Sequence, residues 1–288
     1  MTDSQLRALL AVVDTGRFTL AAERLGISQS GVSHAVSTLE GDLGVPLLHR
    51  TADGAEPTEF GSRVVTLARR SVHLRDLIRL EAEAIRGLTG GVVRVGSFGV
   101  SASLRLLPPL LRAFAERHPG VEVRVLEGRD DEVVSWVRSD RVDLGVVTMP
   151  AEAFDAVLLG QDEFVAVLPT AHPLAAEEAV GRSDLAAAPY IRSAGGCDPG
   201  LPGVTVRHEI RDVTTLVALV AEGLGVSVVP ELALPLPLPD GVVTRPLAPR
   251  MPRQIALAAR DRRELLPGAR ALYRLAMETG RGSGAGWT

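Results

Sequence analysis

The segment GLTGG, Gly87 to Gly91, separates two incompatible periodicities. Before it, apolar positions step by four and three: Phe60, Val64, Leu67, Ser71, Leu74, Ile78, Glu81, Ile85. This is a heptad seam, interrupted by Ser71 and Glu81, and it predicts a long helix that lies against a partner helix. After the glycines VVRVGSF reads as a strand, and strand-like and helical runs then alternate. No single element satisfies both patterns, so the chain is expected to fold as a helical N-terminal part followed by an α/β part.

In the second part LRLLPPLLRAFAERHP is helical, VEVRVLEG a strand, DEVVSWVRSD a helix and VDLGVVTM a strand. A second run starts with EFVAVLP at Glu163 to Pro169. It continues through a strand near Tyr190, VTVRHEI, a helix from Thr214 to Gly223, and VSVVP. Such alternation predicts a parallel sheet and two α/β lobes joined by crossover segments, a hinged clamp whose cleft suits a small molecule. Lobe 1 is placed at about 91–161 with a C-terminal return at about 264–282, and lobe 2 at about 162–263. The glycine-rich end, RGSGAGWT, is expected to fray.

The first part opens with an amphipathic helix, Ser4 to Asp14, burying Leu6, Leu9, Leu10 and Val13. A second helix, Thr19 to Leu25, presents Leu20, Ala21, Ala22 and Leu25. After the turn at Gly26-Ile27, Ser28 caps a third helix that runs to Leu43. Val32, Val36, Leu39 and Leu43 form its apolar stripe. Its other face carries Ser30, Ser33, His34 and Ser37, where a merely solvated face would use Lys, Glu, Arg or Gln. Gly31 costs this helix roughly 1 kcal/mol relative to alanine. Two short helices about a glycine-containing turn, the second with a short-armed hydrogen-bonding face, make a helix-turn-helix pattern. The following VPLLHRTADGAEPTEFG reads as a wing around an Asp53-Gly54 turn, with Arg50 at its base.

Composition narrows the possibilities. The 288 residues are 46% hydrophobic, enough for two or three ordinary folding units. The most apolar stretch, Val213 to Leu238, is broken by Glu222, glycines and prolines, so no membrane span is expected. The opening MTDSQLRALL is unlike a secretory signal, which points to the cytoplasm. With Cys197 as the one cysteine and six histidines at no helical ligand spacing, neither a metal nor a cofactor is implied. There is no nucleophile elbow, P-loop or dinucleotide fingerprint, and no lysine for a Schiff base, so an enzyme is not expected.

The specific signal is LRALLAVVDTGRFTLAAERLGISQSGVSHAVSTLEGDLGVPLLHR followed by TEFG. It resembles the N-terminal signature of LysR-type transcriptional regulators, and the resemblance extends less specifically through HEIRDVTTLVALVAEGLGVSVVP. Leu9, Leu48 and Phe60 depart from the family pattern as packing changes. Arg17, Ser30 and His34 depart where the sequence preference for DNA is set.

The resemblance implies a winged helix-turn-helix DNA-binding domain at 1–58, a linker and dimerisation helix at 59–88, and an effector-binding domain at 89–288 resembling periplasmic binding proteins. The partners it implies are double-stranded DNA, a small-molecule effector between the lobes, and a second copy of the chain in a homodimer or homotetramer. Gln29, Ser30, Ser33, His34 and Ser37 are the expected groove-facing residues, with Thr19 and Arg50 as phosphate contacts. In the cleft, Ser97, Ser101 and Ser103 follow a strand and open a helix where a small anion would fit. Thr148, Arg192 and Ser193 are the further candidates.

The net charge of −4 argues against a broadly basic surface, so DNA affinity is expected from modest sites joined in an oligomer. Two alternatives keep the fold. In one, DNA binding has decayed and the chain is an oligomeric ligand binder. In the other it responds to redox through Cys197, by sulfenic acid, a mixed disulfide or an intermolecular bridge.

Overall fold

The computed structural model describes residues 1–51, 54–85, 90–99, 101–151, 153–195 and 198–282. Two compact units result, one comprising Met1–Leu88 and Ser139–Arg141, the other Thr89–Arg138 and Val142–Thr288.

The first unit comprises α1 (Asp3–Thr15), α2 (Phe18–Leu25), α3 (Gln29–Leu43), the hairpin β1 (Leu48–Thr51) and β2 (Gly54–Pro57), and α4 (Glu59–Ile85). Thr2 and Gln5 form a capping box at the start of α1. Each of the first three helices ends at a glycine with positive φ, Gly16, Gly26 and Gly44, which turns the chain sharply enough to stack the helices. Leu6, Leu9 and Val12 meet Ala21, Ala22, Val32, Val36 and Leu39 in one core, completed by Val65, Ala68 and Val72 of α4.

Two expectations need correction here. Leu20 is 43% exposed and Leu43 37% exposed. At about 100° per residue, Ala21, Leu25 and Ala22 already span the arc of α2 that faces the core, and Leu20 falls outside it.

Helix α4 serves two faces. Val65, Ala68 and Val72 pack on the core of their own unit, while the seam residues Leu67 and Ile78 are 68% and 73% exposed. Ion pairs of Arg7 with Asp76 at 2.6 Å and of Arg69 with Asp14 fix α4 against α1. At its start, the Gly61 N–H donates to Thr58 Oγ1 at 2.8 Å, and a Cβ on Gly61 would sit 1.9 Å from the Leu47 carbonyl oxygen. That atom belongs to backbone and cannot swing aside. Gly61→Ala is therefore expected to lower the stability of this unit by about 1 to 3 kcal/mol, read from urea denaturation of the full chain, and an unchanged midpoint would refute the contact.

The second unit contains β3 (Gly91–Phe98), a wide π-type turn at Ser101–Leu106, α5 (Leu107–Arg117), β4 (Val121–Gly128), α6 (Asp130–Arg138) and β5 (Leu144–Thr148). There follow β6 (Asp155–Pro169), β7 (Val180–Gly181), β8 (Pro189–Ser193), β9 (Thr205–Ile210), α7 (Val213–Ala221), β10 (Ser227–Pro230), β11 (Val242–Ala259) and α8 (Pro267–Gly282). The main sheet has the order β10-β6-β11-β5-β3-β4. β3 pairs in parallel with β4 and β5, and β8 with β9, as the strand-helix alternation requires.

The sheet is nevertheless mixed, not parallel throughout. β6 and β11 run antiparallel through both lobes: Val242 to Pro246 pair with Pro169 to Val165, and Met251 to Ala259 with Phe164 to Asp155. The sequence pattern predicts a strand only from Glu163 and none at 242–259. A strand that passes between lobes changes which side is buried, and Gly160-Gln161-Asp162 and the proline-rich 246–252 break its alternation. Apolar clusters cover both sides of the sheet in the second lobe, with Val165, Val167 and Val229 under α7 and Ala166, Leu168 and Val228 against Leu185 and Tyr190. Helix α8 returns to pack on β6 and β3 of the first lobe.

Among the described residues no helix is long and apolar enough to cross a membrane. Asp53 of the expected wing turn and the C-terminal residues 283–288, expected to fray, lie outside the described residues.

Candidate functional site

The polar face of α3 is built by its cap and by its attachment. Ser28 has extended backbone and its Oγ accepts the Gly31 N–H at 3.1 Å, so the helix begins at Gln29 with backbone N–H groups directed outward. Gln29, Ser30, His34, Ser37 and Thr19 are exposed, and Ser33 is half-buried. Ser30 and Ser28 share a hydrogen bond at 3.0 Å. Val32, Val36 and Leu39, all at most 1% exposed, lock the opposite face.

Glu40, which the sequence pattern does not single out, holds the wing to this helix. Its Oε1 accepts the N–H groups of Leu47 at 2.7 Å and Leu48 at 3.2 Å. Arg50 has its backbone in β1, but its side chain lies outside the described residues. The result is a helix with short hydrogen-bonding side chains beside a hairpin, the shape that enters a DNA major groove.

The second candidate lies between the lobes of the second unit, a cleft of about 530 Å³. Arg129, Asp130 and Asp131, where β4 gives way to α6, line it from the first lobe. Arg192, Ser193 and Ala194 at the end of β8, with Asp198 and Glu209, line it from the second. Of the expected residues, Arg192 and Ser193 are thus in the lining, and Ser97, Ser103 and Thr148 are not. Ser97 is fully buried with its Oγ 2.8 Å from that of Ser103, a bond tying the end of β3 to the turn that follows. The Ser101 side chain and Cys197 lie outside the described residues.

Thr148 acts one step back from the cleft. Its N–H donates to Asp130 Oδ1 at 3.4 Å. Burial pushes the Asp130 carboxyl above its ordinary value, against the pull of Thr148 and of the Arg253 charge. The lining acids of α6 are detectable in sequence by the reasoning applied to the serines, since DD also follows a strand and opens a helix. Asp198 and Glu209 carry no comparable signal.

Close to Asp130, the two strands shared by the lobes carry a buried ion pair. Asp162 of β6 and Arg253 of β11 are cross-strand partners, joined by two bonds of 2.9 and 2.8 Å with side chains 2% and 5% exposed. The guanidinium carbon is 5.8 Å from the ring centre of Phe98 and 5.7 Å from that of Phe164, a cation between two aromatic rings. Removing one partner leaves a buried charge uncompensated. Arg253→Met is expected to cost about 3 to 5 kcal/mol, with much of the loss restored by Asp162→Leu in the same chain, and a denaturation series showing simple additivity would contradict this pairing.

A winged helix-turn-helix in one unit, with two α/β lobes flanking a cleft in the other, is the architecture of a ligand-responsive DNA-binding protein. Comparison with known proteins gives the family. Residues 4–62 match the family described as "Bacterial regulatory helix-turn-helix protein, lysR family", and residues 86–281 match "LysR substrate binding domain". The chain is 38% identical over 269 residues to the "Probable HTH-type transcriptional regulator LrrA" of Synechococcus elongatus, covering 90% of each. It is 30% identical to a "Probable hydrogen peroxide-inducible genes activator" of Mycobacterium avium, covering 90% of this chain and 88% of that one. Among solved structures, a full-length OxyR point variant from Pseudomonas aeruginosa superimposes with a TM-score of 0.76 at 24% identity, covering 98% of this chain and 95% of that one. The chain belongs to the LysR family of DNA-binding transcriptional regulators.

Proposed function

We propose that α3 reads operator DNA through Gln29, Ser30, Ser33, His34 and Ser37, with Thr19 and Arg50 on phosphates, and that a small molecule in the interlobe cleft controls this binding. The observation that carries the reading is the pairing of an exposed, uncharged polar helix face with a charged cleft in one chain. The protein acts in the cytoplasm as a regulator without catalysis. Residues 1–58 form the reading head, 59–88 the linker and 89–288 the sensor. Arg192 and Ser193 meet the effector, while Ser97, Ser101, Ser103 and Thr148 shape the first-lobe side. Effector binding changes the angle between lobes about β6 and β11, and thereby how paired reading heads sit on spaced half-sites.

Gln29 has the geometry for two hydrogen bonds to an adenine edge. Gln29→Ala is expected to cost about 1 to 3 kcal/mol of discrimination at one base position, measured by sequencing the DNA fragments that each variant retains. Retention of identical fragments by both would remove Gln29 from base reading. Binding of no operator at all by the native chain would favour the oligomeric ligand binder instead.

The exposed stripe of Leu67, Leu74 and Ile78 supports pairing through α4 in a homodimer or homotetramer. Ile78→Glu, on a side chain that is largely exposed in its own unit, is expected to shift the chain to monomer in sedimentation velocity without unfolding that unit. An oligomer that survives the substitution would place the interface elsewhere.

The likeness to a peroxide-inducible genes activator favours a second reading, redox response through Cys197. With one cysteine in the chain, peroxide would act by sulfenic acid, a mixed disulfide or a bridge to another chain. A Cys197→Ser variant whose operator affinity still answers peroxide would end that reading.

A further inference from the structure

The chemical character of the cleft identifies a class of effector. Its described lining holds two arginines against four carboxylates, those of Asp130, Asp131, Asp198 and Glu209. Both arginines are engaged by carboxylates of the same cleft: Arg129 with Asp131 at 3.0 Å, and Arg192 with Asp198 at 3.2 Å and Glu209 at 3.1 Å. An anion arriving here would have to draw a guanidinium away from a partner it already has, in the presence of surplus negative charge.

The start of α6 does not rescue that case. Helix N-termini attract anions, but the first turn of α6 is Asp130, Asp131 and Glu132, so the chain has satisfied that end with its own carboxylates. Asp130 stands apart from the rest. Among the described residues it has no arginine partner in the cleft, and its oxygens are held by Thr148 alone. The cation that influences it, Arg253, is already bound through two bonds to Asp162.

Ser193 supplies the independent observation. It is 2% exposed and lines the same cleft, and its hydroxyl has no hydrogen-bond partner among the described residues. A buried hydroxyl left without a partner is costly; it can accept from a ligand N–H or donate to a ligand oxygen, so it marks where a ligand sits, and the surplus carboxylates around it set the charge of the group that fits.

We propose that the effector is a small organic cation, an amine or guanidine, whose positive group is received by the Asp130 carboxylate and the Ser193 hydroxyl. This rests on the reading of the interlobe cleft as the effector site and adds the charge of what enters it. The volume, about 530 Å³, lies within the range of small-molecule sites, and an alkyl diamine or a guanidino-alkyl amine fits it. Bound there, a cation offsets the surplus charge of the cleft and draws Arg129-Asp130-Asp131 of one lobe towards Arg192-Ser193 of the other.

The test uses the full chain with putrescine and agmatine as cationic probes, succinate as the anionic counterpart of putrescine, and butanediol as the neutral one, at equal ionic strength. Thermal midpoint and titration calorimetry are the readouts. A cationic probe is expected to raise the midpoint. Asp130→Asn should weaken its binding about tenfold or more, Ser193→Ala by a smaller factor, and Glu122→Gln on exposed β4 not at all. Both cleft substitutions are near-isosteric, and each variant's midpoint without probe reports whether it folds.

Cation binding that survives both Asp130→Asn and Ser193→Ala would overturn the proposal. Binding of succinate in place of the amines, weakened by Ser193→Ala, would overturn the assigned charge and leave the effector-cleft reading standing. A midpoint indifferent to all four probes would overturn the assigned class.

Discussion

The second unit depends on how two strands cross from one lobe to the other without exposing their backbones. β6 and β11 solve this by pairing with each other along nearly their whole length, so the hydrogen bonds of the crossing are satisfied within the sheet. Where the strands pass between lobes, Asp162 and Arg253 sit opposite one another, buried and joined by two bonds. A buried ion pair of this kind contributes little net stability over an apolar pair, but it tolerates few alternative registers. The Asp162 carboxylate also accepts the Leu232 N–H at 3.3 Å, extending the arrangement into the second lobe.

The first unit solves a different problem, that of presenting a polar helix face rigidly while burying little. Val32, Val36 and Leu39 hold α3 from behind, Ser28 satisfies its start, and Glu40 ties it to the wing. The departures from family pattern fall on both kinds of surface. Phe60 lies beside Gly61, where α4 approaches the Leu47 carbonyl, and it packs partly against the core. Ser30 and His34 are exposed on the polar face of α3, away from Val32, Val36 and Leu39, so their change leaves the hold on the helix intact.

Much of this is legible from residues whose neighbours are close in sequence. The three N-terminal helices, the wing, the long α4 and the strand-helix alternation of the lobes follow from local periodicity and caps. The stripe of α4 is legible as a seam, but not that Val65, Ala68 and Val72 form a second stripe on the core. For the cleft, the reasoning that strand ends and helix starts make ligand sites finds Ser97, Ser101 and Ser103, and overlooks Asp130 and Asp131 at the next such junction. Serines at helix starts advertise capping as much as binding, and Ser97 is bonded to Ser103 and fully buried.

By itself the sequence determined a helix-turn-helix with a short-armed polar face, a long helix after it, two α/β lobes, and, with one cysteine, no disulfide within these residues. These rest on spacing, on composition and on a motif whose residues lie within one short stretch. Only the tertiary structure decided that β6 and β11 are shared between lobes, that Asp162 pairs with Arg253, and that the cleft is rich in carboxylates. Each joins residues that are distant in the chain: Asp162 and Arg253 are 91 positions apart. Pairings at that separation are set by the closure of the sheet, to which no local pattern of hydrophobicity or charge is sensitive.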